Sequence, residues 1–342
     1  MKTNTVYTKK WPLRSLFPTE TILFYDAKLE TKPLFKAWKK QFKFCFALRA
    51  GESLKTLDSL NAVLTKLSQH QVPQTTKLTF ISVGGGSVGD FVGFLASIFS
   101  RGRKFVQIPS TWLAAIDSAH GGKNGLNFQH AKNQLGTYYP ADQIFLVEAL
   151  LKSQPAERFS EALGEVIKMG IINSKNIFQK LEKKSQNFSE KDLLQLLPEL
   201  IQAKMKVVNK DPFEKSGLRR VLNLGHTMGH VFESHFRLPH GEAVKVGILF
   251  SARWSLKRKM LSAAEFTKIN QMLNYFPSKV ELPYLLEMIS LTDVKKLLEK
   301  DKKSTSIGSI DFIFIQKIGH VVCKKVKIED ILKEFQRQKT ES

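Results

Sequence analysis

The junction between residues 78 and 90 constrains the fold most tightly. Leu78-Thr-Phe-Ile-Ser-Val is a strand-length apolar run that passes without a spacer into Gly84-Gly-Gly-Ser-Val-Gly-Asp90 and then into a helical pattern. Consecutive glycines let a chain turn sharply from strand to helix and bring backbone N–H groups up to an anion at the helix N-terminus. Gly84, Gly86 and Gly89 match the G-x-G-x-x-G spacing of a dinucleotide loop, a weak signal when taken alone. The acidic residue expected at the end of the next strand is missing, because Phe105-Val-Gln-Ile leads into Pro109-Ser-Thr. That argues against an ordinary Rossmann unit and leaves Asp26, which closes the first apolar run, as an alternative ribose anchor.

The surrounding pattern agrees with an α/β unit. Further candidate strands are Thr21–Tyr25, Phe42–Leu48, Phe105–Ile108 and Ile144–Val147, with helical periodicity over Leu54–Leu67 and Asp90–Ser100. Strands separated by helices predict a parallel sheet. After Leu150 the periodicity is almost wholly helical, near 157–170, 190–209, 221–235 and 241–258, until two short strands (Ile310–Ile315 and Val321–Cys323) precede a final helix. With 342 residues the chain is long enough for two domains, expected over 1–150 and 151–342 with a ligand-binding cleft between them.

Composition removes several classes. Cys45 and Cys323 are far apart and sit in apolar runs, so neither a disulfide framework nor a thiolate metal site is expected. No apolar run has bilayer-spanning length and the basic N-terminus lacks a signal peptide's apolar stretch, so a cytoplasmic protein is expected. The net charge is +22, divided as +10 up to Leu150 and +12 beyond it. An excess so evenly spread, with no recognition motif, reads as a solvated basic surface rather than a nucleic-acid site.

Two polar constellations carry the chemistry. Asp117-Ser-Ala-His-Gly-Gly-Lys-Asn-Gly-Leu-Asn127, followed by Lys132-Asn133, reads as a glycine-rich polar loop in which Lys123 and Lys132 suit a phosphate or carboxylate. Farther on, four of the eight histidines fall within fifteen residues: His226, His230, His235 and His240. His226 and His230 lie four apart on one helix face, but Thr227 stands where a zinc protease would carry glutamate. Upstream, Glu161, Glu165 and Lys168 share a helix face. One such carboxylate with two histidines would make a three-ligand site with an open position, and spacing leaves open which histidines take part.

Taken together, these stretches resemble the 3-dehydroquinate synthase family from about Asp26 to Gly319. The resemblance is carried by Gly51-Glu-Ser-Leu-Lys55, the loop ending in Gly89-Asp90, Arg101-Gly102, Gln107-Ile-Pro-Ser-Thr111, Asp117 to Asn133, Glu165-Val-Ile-Lys168, Gly217-Leu-Arg219, Leu222 to His230, His240-Gly-Glu-Ala243 and Asp301-Lys-Lys303. It implies an α/β domain holding NAD against its glycine loop, followed by a mainly helical metal- and substrate-binding domain. It implies zinc, or cobalt in its place, on Glu165, His226 and His240. Asp26, Glu52, Lys55, Gly85, Gly86 and Asp90 would be NAD contacts, joined by Ser110, Thr111, Asp117, Ser118, Lys123 and Lys132. Lys123, Asn133, Lys168, Lys204, Arg219, Asn223 and Lys302 (or Lys303) would grip a sugar-acid phosphate, with Asp117 and His230 also on the catalytic side. The arginine at Arg101 would reach the neighbouring subunit's substrate phosphate, which implies a homodimer. The implied reaction is a lyase step of the shikimate pathway to aromatic amino acids: transient oxidation, phosphate elimination, re-reduction and aldol closure.

The chain departs from the family pattern at His120, Asn124, Ser110, Ala131 and Glu148, and by an extra residue between Asp211 and Gly217. Of these His120, between Asp117 and Lys123, is placed to meet nicotinamide or substrate. The alternatives are a valiolone- or inosose-type sugar-phosphate cyclase and, from a different class, a non-catalytic basic binding protein. Retention of the whole cation set and of every implied metal ligand argues against both.

Overall fold

The computed structural model describes residues 3–72, 75, 77–129, 131–185, 187–300, 304–306 and 308–341. The implied substrate lysines Lys302 and Lys303 lie outside the described residues. The chain divides into two compact units, Met1–Arg158 and Phe159–Ser342. Among the described residues no helix is long and apolar enough to cross a membrane.

The first unit is built on a six-stranded, wholly parallel sheet. Its strands are β1 (Asn4–Thr8), β2 (Thr21–Asp26), β3 (Phe44–Leu48), β4 (Thr79–Gly84), β5 (Lys104–Pro109) and β8 (Gln143–Val147), in the order β1-β8-β5-β4-β2-β3. Central strands buried on both faces are largely apolar, and Ile22, Leu23, Phe24, Phe80, Ile81 and Val83 are fully buried. Helices α1 (Pro33–Lys39), α2 (Leu57–Gln69), α3 (Gly86–Ile98) and the short α4 (Glu148–Leu151) complete the unit. Beyond β2 the chain adds β3 on one side, and beyond β4 it adds β5 and β8 on the other. The strand order therefore reverses between β2 and β4, at whose carboxyl ends a parallel sheet opens a crevice for ligands.

Two features of this unit escape the sequence pattern. β1 is an added parallel edge strand, and the polar stretch expected as a loop is largely a hairpin. There β6 (Lys123–Phe128) pairs antiparallel with β7 (Ala131–Tyr138), after a single π-helical turn at Ala114–Ser118. The hairpin packs on α3 where Gly93 leaves room: a Cβ there would lie 2.1 Å from Asn124 Oδ1. Asn124 in turn donates to the carbonyls of Gly122 (3.1 Å) and Tyr139 (2.8 Å).

The second unit is helical, with one small sheet. It contains the body of α5 (Ala156–Asn173), then α6 (Lys175–Lys184), α7 (Glu190–Val208), α8 (His226–Phe236), α9 (His240–Lys257), α10 (Ala263–Tyr275), α11 (Leu282–Met288), α12 (Leu291–Lys300) and α13 (Ile328–Thr340). Strands β9 (Ser304–Ser306), β10 (Ser309–Lys317) and β11 (His320–Lys327) form an antiparallel sheet in the order β11-β10-β9. Its inner face, with Phe312 and Phe314, packs on Phe250 and Trp254 of α9 and on Phe335 of α13. The periodicity over 221–235 is not one helix: Leu218–Asn223 is a 3-10 turn, and Gly225, at φ 77°, sits between it and α8. Only glycine takes that backbone without strain.

Candidate active site

In the second unit the site is made by glycines as much as by its carboxylate and imidazole side chains. A Cβ on Gly164 would lie 2.2 Å from the Gly241 carbonyl oxygen, and one on Gly241 would lie 1.5 Å from that of Glu161. Contact at backbone distance between α5 and α9 places the next residue of α5, Glu165, opposite His240 at the start of α9. Gly225, Gly229 and Gly247 do the same between α8 and α9, a Cβ on Gly247 falling 1.9 Å from the Gly225 carbonyl oxygen. His226 and His230, each following one of these glycines, are thereby drawn to the same place.

The result is a compact donor set. Glu165 has no exposed surface, and its Oε1 lies 3.5 Å from His226 Nε2 and 3.3 Å from His240 Nε2. Its other oxygen forms an ion pair with Lys168, itself 2% exposed. One carboxylate oxygen and two imidazole nitrogens, all within 4.8 Å of one another, are arranged as metal ligands would be. Both rings are held from behind, His226 Nδ1 by the Leu224 carbonyl (3.1 Å) and His240 Nδ1 by Glu233 Oε2 (2.9 Å). Burial opposes charge on His240, but hydrogen bonds and charge from Glu165 and Glu233 prevail and push its pKa up to about 9. A divalent cation would take that proton's place. His230 is half-buried beside them, its ring centre 5.3 Å from that of His226. His235 is exposed and stacks edge-on against Phe236, away from the cluster.

Other expected residues of this unit are cations in unusual places. Lys204 on α7 and Arg219 on the 3-10 turn are both about 5% exposed. Arg219 donates to the Pro212 carbonyl (3.0 Å), while Asp211 accepts from its backbone N–H (3.3 Å) and from that of Ser216 (3.2 Å). Burial pushes the Asp211 carboxyl up, but these hydrogen bonds hold it below its ordinary value. Asn223 ends the same turn, half-buried.

In the first unit the expected cofactor residues gather at the carboxyl ends of the strands. β2 and β4 pair with Tyr25 opposite Val83, so Asp26 follows beside Gly84. Asp26 caps the next turn by accepting from the Lys28 N–H (3.0 Å). Gly85 caps α3 and Gly86 opens it; a Cβ on Gly85 would lie 3.2 Å from Thr111, and one on Gly86 would lie 3.1 Å from Ser118 Oγ. Ser110 ties back through its N–H to the Gly84 carbonyl (2.8 Å). Gly85, Gly89, Asp90, Gln107 and Ser118 line a narrow crevice there.

Lys55, 3% exposed, donates to Asp90 Oδ2 (2.7 Å) and to Asn133 Oδ1, while Asn127 donates to Glu52 Oε2 (2.8 Å). Burial pushes the Asp90 carboxyl up, against the pull of Lys55. Asp117 is half-buried in the π-helical turn, Lys123 and Lys132 are exposed on the hairpin, and Arg101 is exposed at φ 67°. His120 turns inward: it is 3% exposed, with Nε2 2.9 Å from the Ala115 carbonyl oxygen, so its ring is a bonded core group.

Sequence reasoning missed Glu233 and Asp211. Glu233 carried one signal, its position seven residues after His226 and three after His230, on the same face of α8.

The chain matches the sequence profile of the 3-dehydroquinate synthase N-terminal domain over residues 45–161 and that of the C-terminal domain over residues 162–304. It is 35% identical to the 3-dehydroquinate synthase of Rippkaea orientalis over 298 residues, which cover 85% of this chain and 80% of that one. It is also 35% identical to that of Campylobacter concisus over 317 residues, 92% of this chain and 89% of that one. Among solved structures, 2-epi-5-epi-valiolone synthase from Streptomyces hygroscopicus, with NAD+ and Zn2+ bound, superposes with a TM-score of 0.85 at 21% identity, covering 100% of this chain and 97% of that one. A 2-deoxy-scyllo-inosose synthase complexed with carbaglucose-6-phosphate, NAD+ and Co2+ gives a TM-score of 0.82 at 20% identity, covering 97% and 96%. At those identities the likeness is one of fold, whereas the profile matches and the closer sequence relatives establish that the chain belongs to the 3-dehydroquinate synthase family.

Proposed function

We propose that the protein converts 3-deoxy-D-arabino-heptulosonate 7-phosphate to 3-dehydroquinate and inorganic phosphate. The observation that carries this reading is the convergence of Glu165 Oε1 with His226 Nε2 and His240 Nε2, in a chain whose 35%-identical relatives are synthases of that product. Zinc or cobalt on Glu165, His226 and His240 would act as a Lewis acid on a substrate hydroxyl, and NAD at the glycine loop would accept a hydride and give it back.

The chain's own residues do the rest. The substrate carries a phosphate and a carboxylate, and several fixed cations answer that charge: Lys123, Lys168, Lys204, Arg219 and a lysine at 302 or 303. Lys204 and Arg219 are buried, where a charge–charge contact is screened less than at the surface. Asn133 and Asn223 supply amide hydrogen bonds to hydroxyls. His230, one turn beyond His226, relays protons to and from the substrate. Asp26 takes the ribose role that the β5 end leaves vacant, with Glu52, Lys55, Gly85, Gly86, Asp90, Ser110, Thr111, Asp117, Ser118 and Lys132 around the dinucleotide. The domain division at 1–150 and 151–342, a homodimer in which Arg101 reaches a neighbouring subunit's substrate, and a cytoplasmic location belong to the same reading, as does the absence of a specific nucleic-acid or membrane partner.

The test is phosphate release from the heptulosonate phosphate with NAD and zinc, before and after chelation. Chelator-sensitive release, with dehydroquinate formed and no net NADH, is the expected result. Release from sedoheptulose 7-phosphate alone would replace this reading with a valiolone-type cyclase, and silence with both would remove the enzymatic reading.

A further inference from the structure

Two donor sets share His240. One is Glu165, His226 and His240; the other is His230, Glu233 and His240. They use opposite edges of one ring, since His240 Nε2 faces Glu165 and Nδ1 faces Glu233. A neutral imidazole has a lone pair on one nitrogen and a proton on the other, so it cannot serve both sets as a ligand. The surroundings break the tie. Glu165 is fully buried and meets the Nε2 atoms of both His226 and His240, whereas Glu233 lies nearer the surface, 19% exposed.

We infer that Glu233 is a positioning residue: its carboxylate accepts the Nδ1–H of His240 and so commits the Nε2 lone pair to the Glu165 side. The Leu224 carbonyl does the same for His226, so both Nε2 atoms converge on one carboxylate oxygen. Unlike that carbonyl, Glu233 brings a full negative charge, which makes the His240 ring a stronger donor. The inference rests on the metal reading of Glu165, His226 and His240.

The experiment measures the zinc affinity of the metal-stripped full chain by chelator competition. It compares wild type, Glu233→Ala, Glu233→Gln and Glu165→Ala, and adds nitrogen-15 spectra of the zinc-loaded histidine rings. Loss of such an outer carboxylate costs roughly 10- to 100-fold in metal affinity. Glu233→Ala should weaken zinc by that factor and lose the slowly exchanging Nδ1–H signal of His240. Glu233→Gln keeps an acceptor without the charge, so it should retain that signal and recover part of the affinity. Zinc affinity in Glu233→Ala equal to wild type would overturn the inference. So would abolished binding in Glu233→Ala with intact binding in Glu165→Ala, which would make Glu233 a ligand. Failure of the wild type to bind zinc would sink the metal reading itself, and this inference with it.

Discussion

Gly241 meets the carbonyl of Glu161 so closely that a Cβ would stand 1.5 Å from its oxygen. Backbone against backbone leaves nothing that can rotate aside, so Gly241→Ala must push α9 away from α5. The expected cost is about 2 kcal/mol or more in stability. Because His240 precedes Gly241 and Glu165 lies one turn beyond Glu161, zinc affinity should fall with it. Urea unfolding and zinc competition on the variant read the two effects separately. Wild-type zinc binding in Gly241→Ala would show that another contact places His240.

Arg219 donates to the Pro212 carbonyl and is no member of the donor set of Glu165, His226 and His240, so removing it takes no ligand from that cluster. A hydrogen bond to a charged group is worth about 1.5–3 kcal/mol. Arg219→Ala should therefore raise KM for the acidic substrate on the order of ten- to a hundred-fold, with zinc and NAD affinities unchanged. Steady-state kinetics and calorimetric titrations decide it, and an unchanged KM would remove Arg219 from the substrate grip.

The helix that carries Lys204 begins with a capping box in which Ser189 and Asp192 satisfy each other's backbone N–H. The Lys184 ammonium, with Ser189, holds the Asp192 carboxyl down at about 2, below its ordinary 3.8. A depressed carboxyl stabilises the fold above its unfolded value and loses that contribution as pH falls toward its folded value. Asp192 should thus contribute fully above about pH 4 and fade between 4 and 2. Asp192→Ala should cost about 1 kcal/mol at neutral pH, near that of a lost cap. The difference in urea midpoint from wild type should close on acidification through that window; a gap that persists at pH 2 would mean that the cap does not depend on ionisation.

The glycine loop, the parallel sheet and the histidine cluster are legible in the sequence because each leaves a local mark: a glycine run, an apolar period, a spacing of four. The β6–β7 hairpin is not, since Lys123-Asn-Gly-Leu-Asn-Phe sets the polar Asn124 against Gly93 of α3 and shows little apolar alternation. β1 is hidden for a related reason: an edge strand reading Asn-Thr-Val-Tyr-Thr can afford polar side chains. The helical period ran straight through Gly225, where only the backbone angle reveals the break. Lys55 meets Asp90 and Asn133, which are 35 and 78 residues farther along the chain. The fold joins them, and no spacing announces them. In sequence Glu233 is one acid among others on an amphipathic helix, and only the fold sets His240, on the next helix, against it.

Lys168 sits against the one oxygen of Glu165 that faces away from the histidines. A lone buried carboxylate would oppose folding until a cation arrived, as in small domains that stay unfolded without their metal. Here the cation is built in. The second unit should therefore reach its native state empty and take up metal afterwards: stripping the metal should silence the protein without unmaking it, and leave it reloadable.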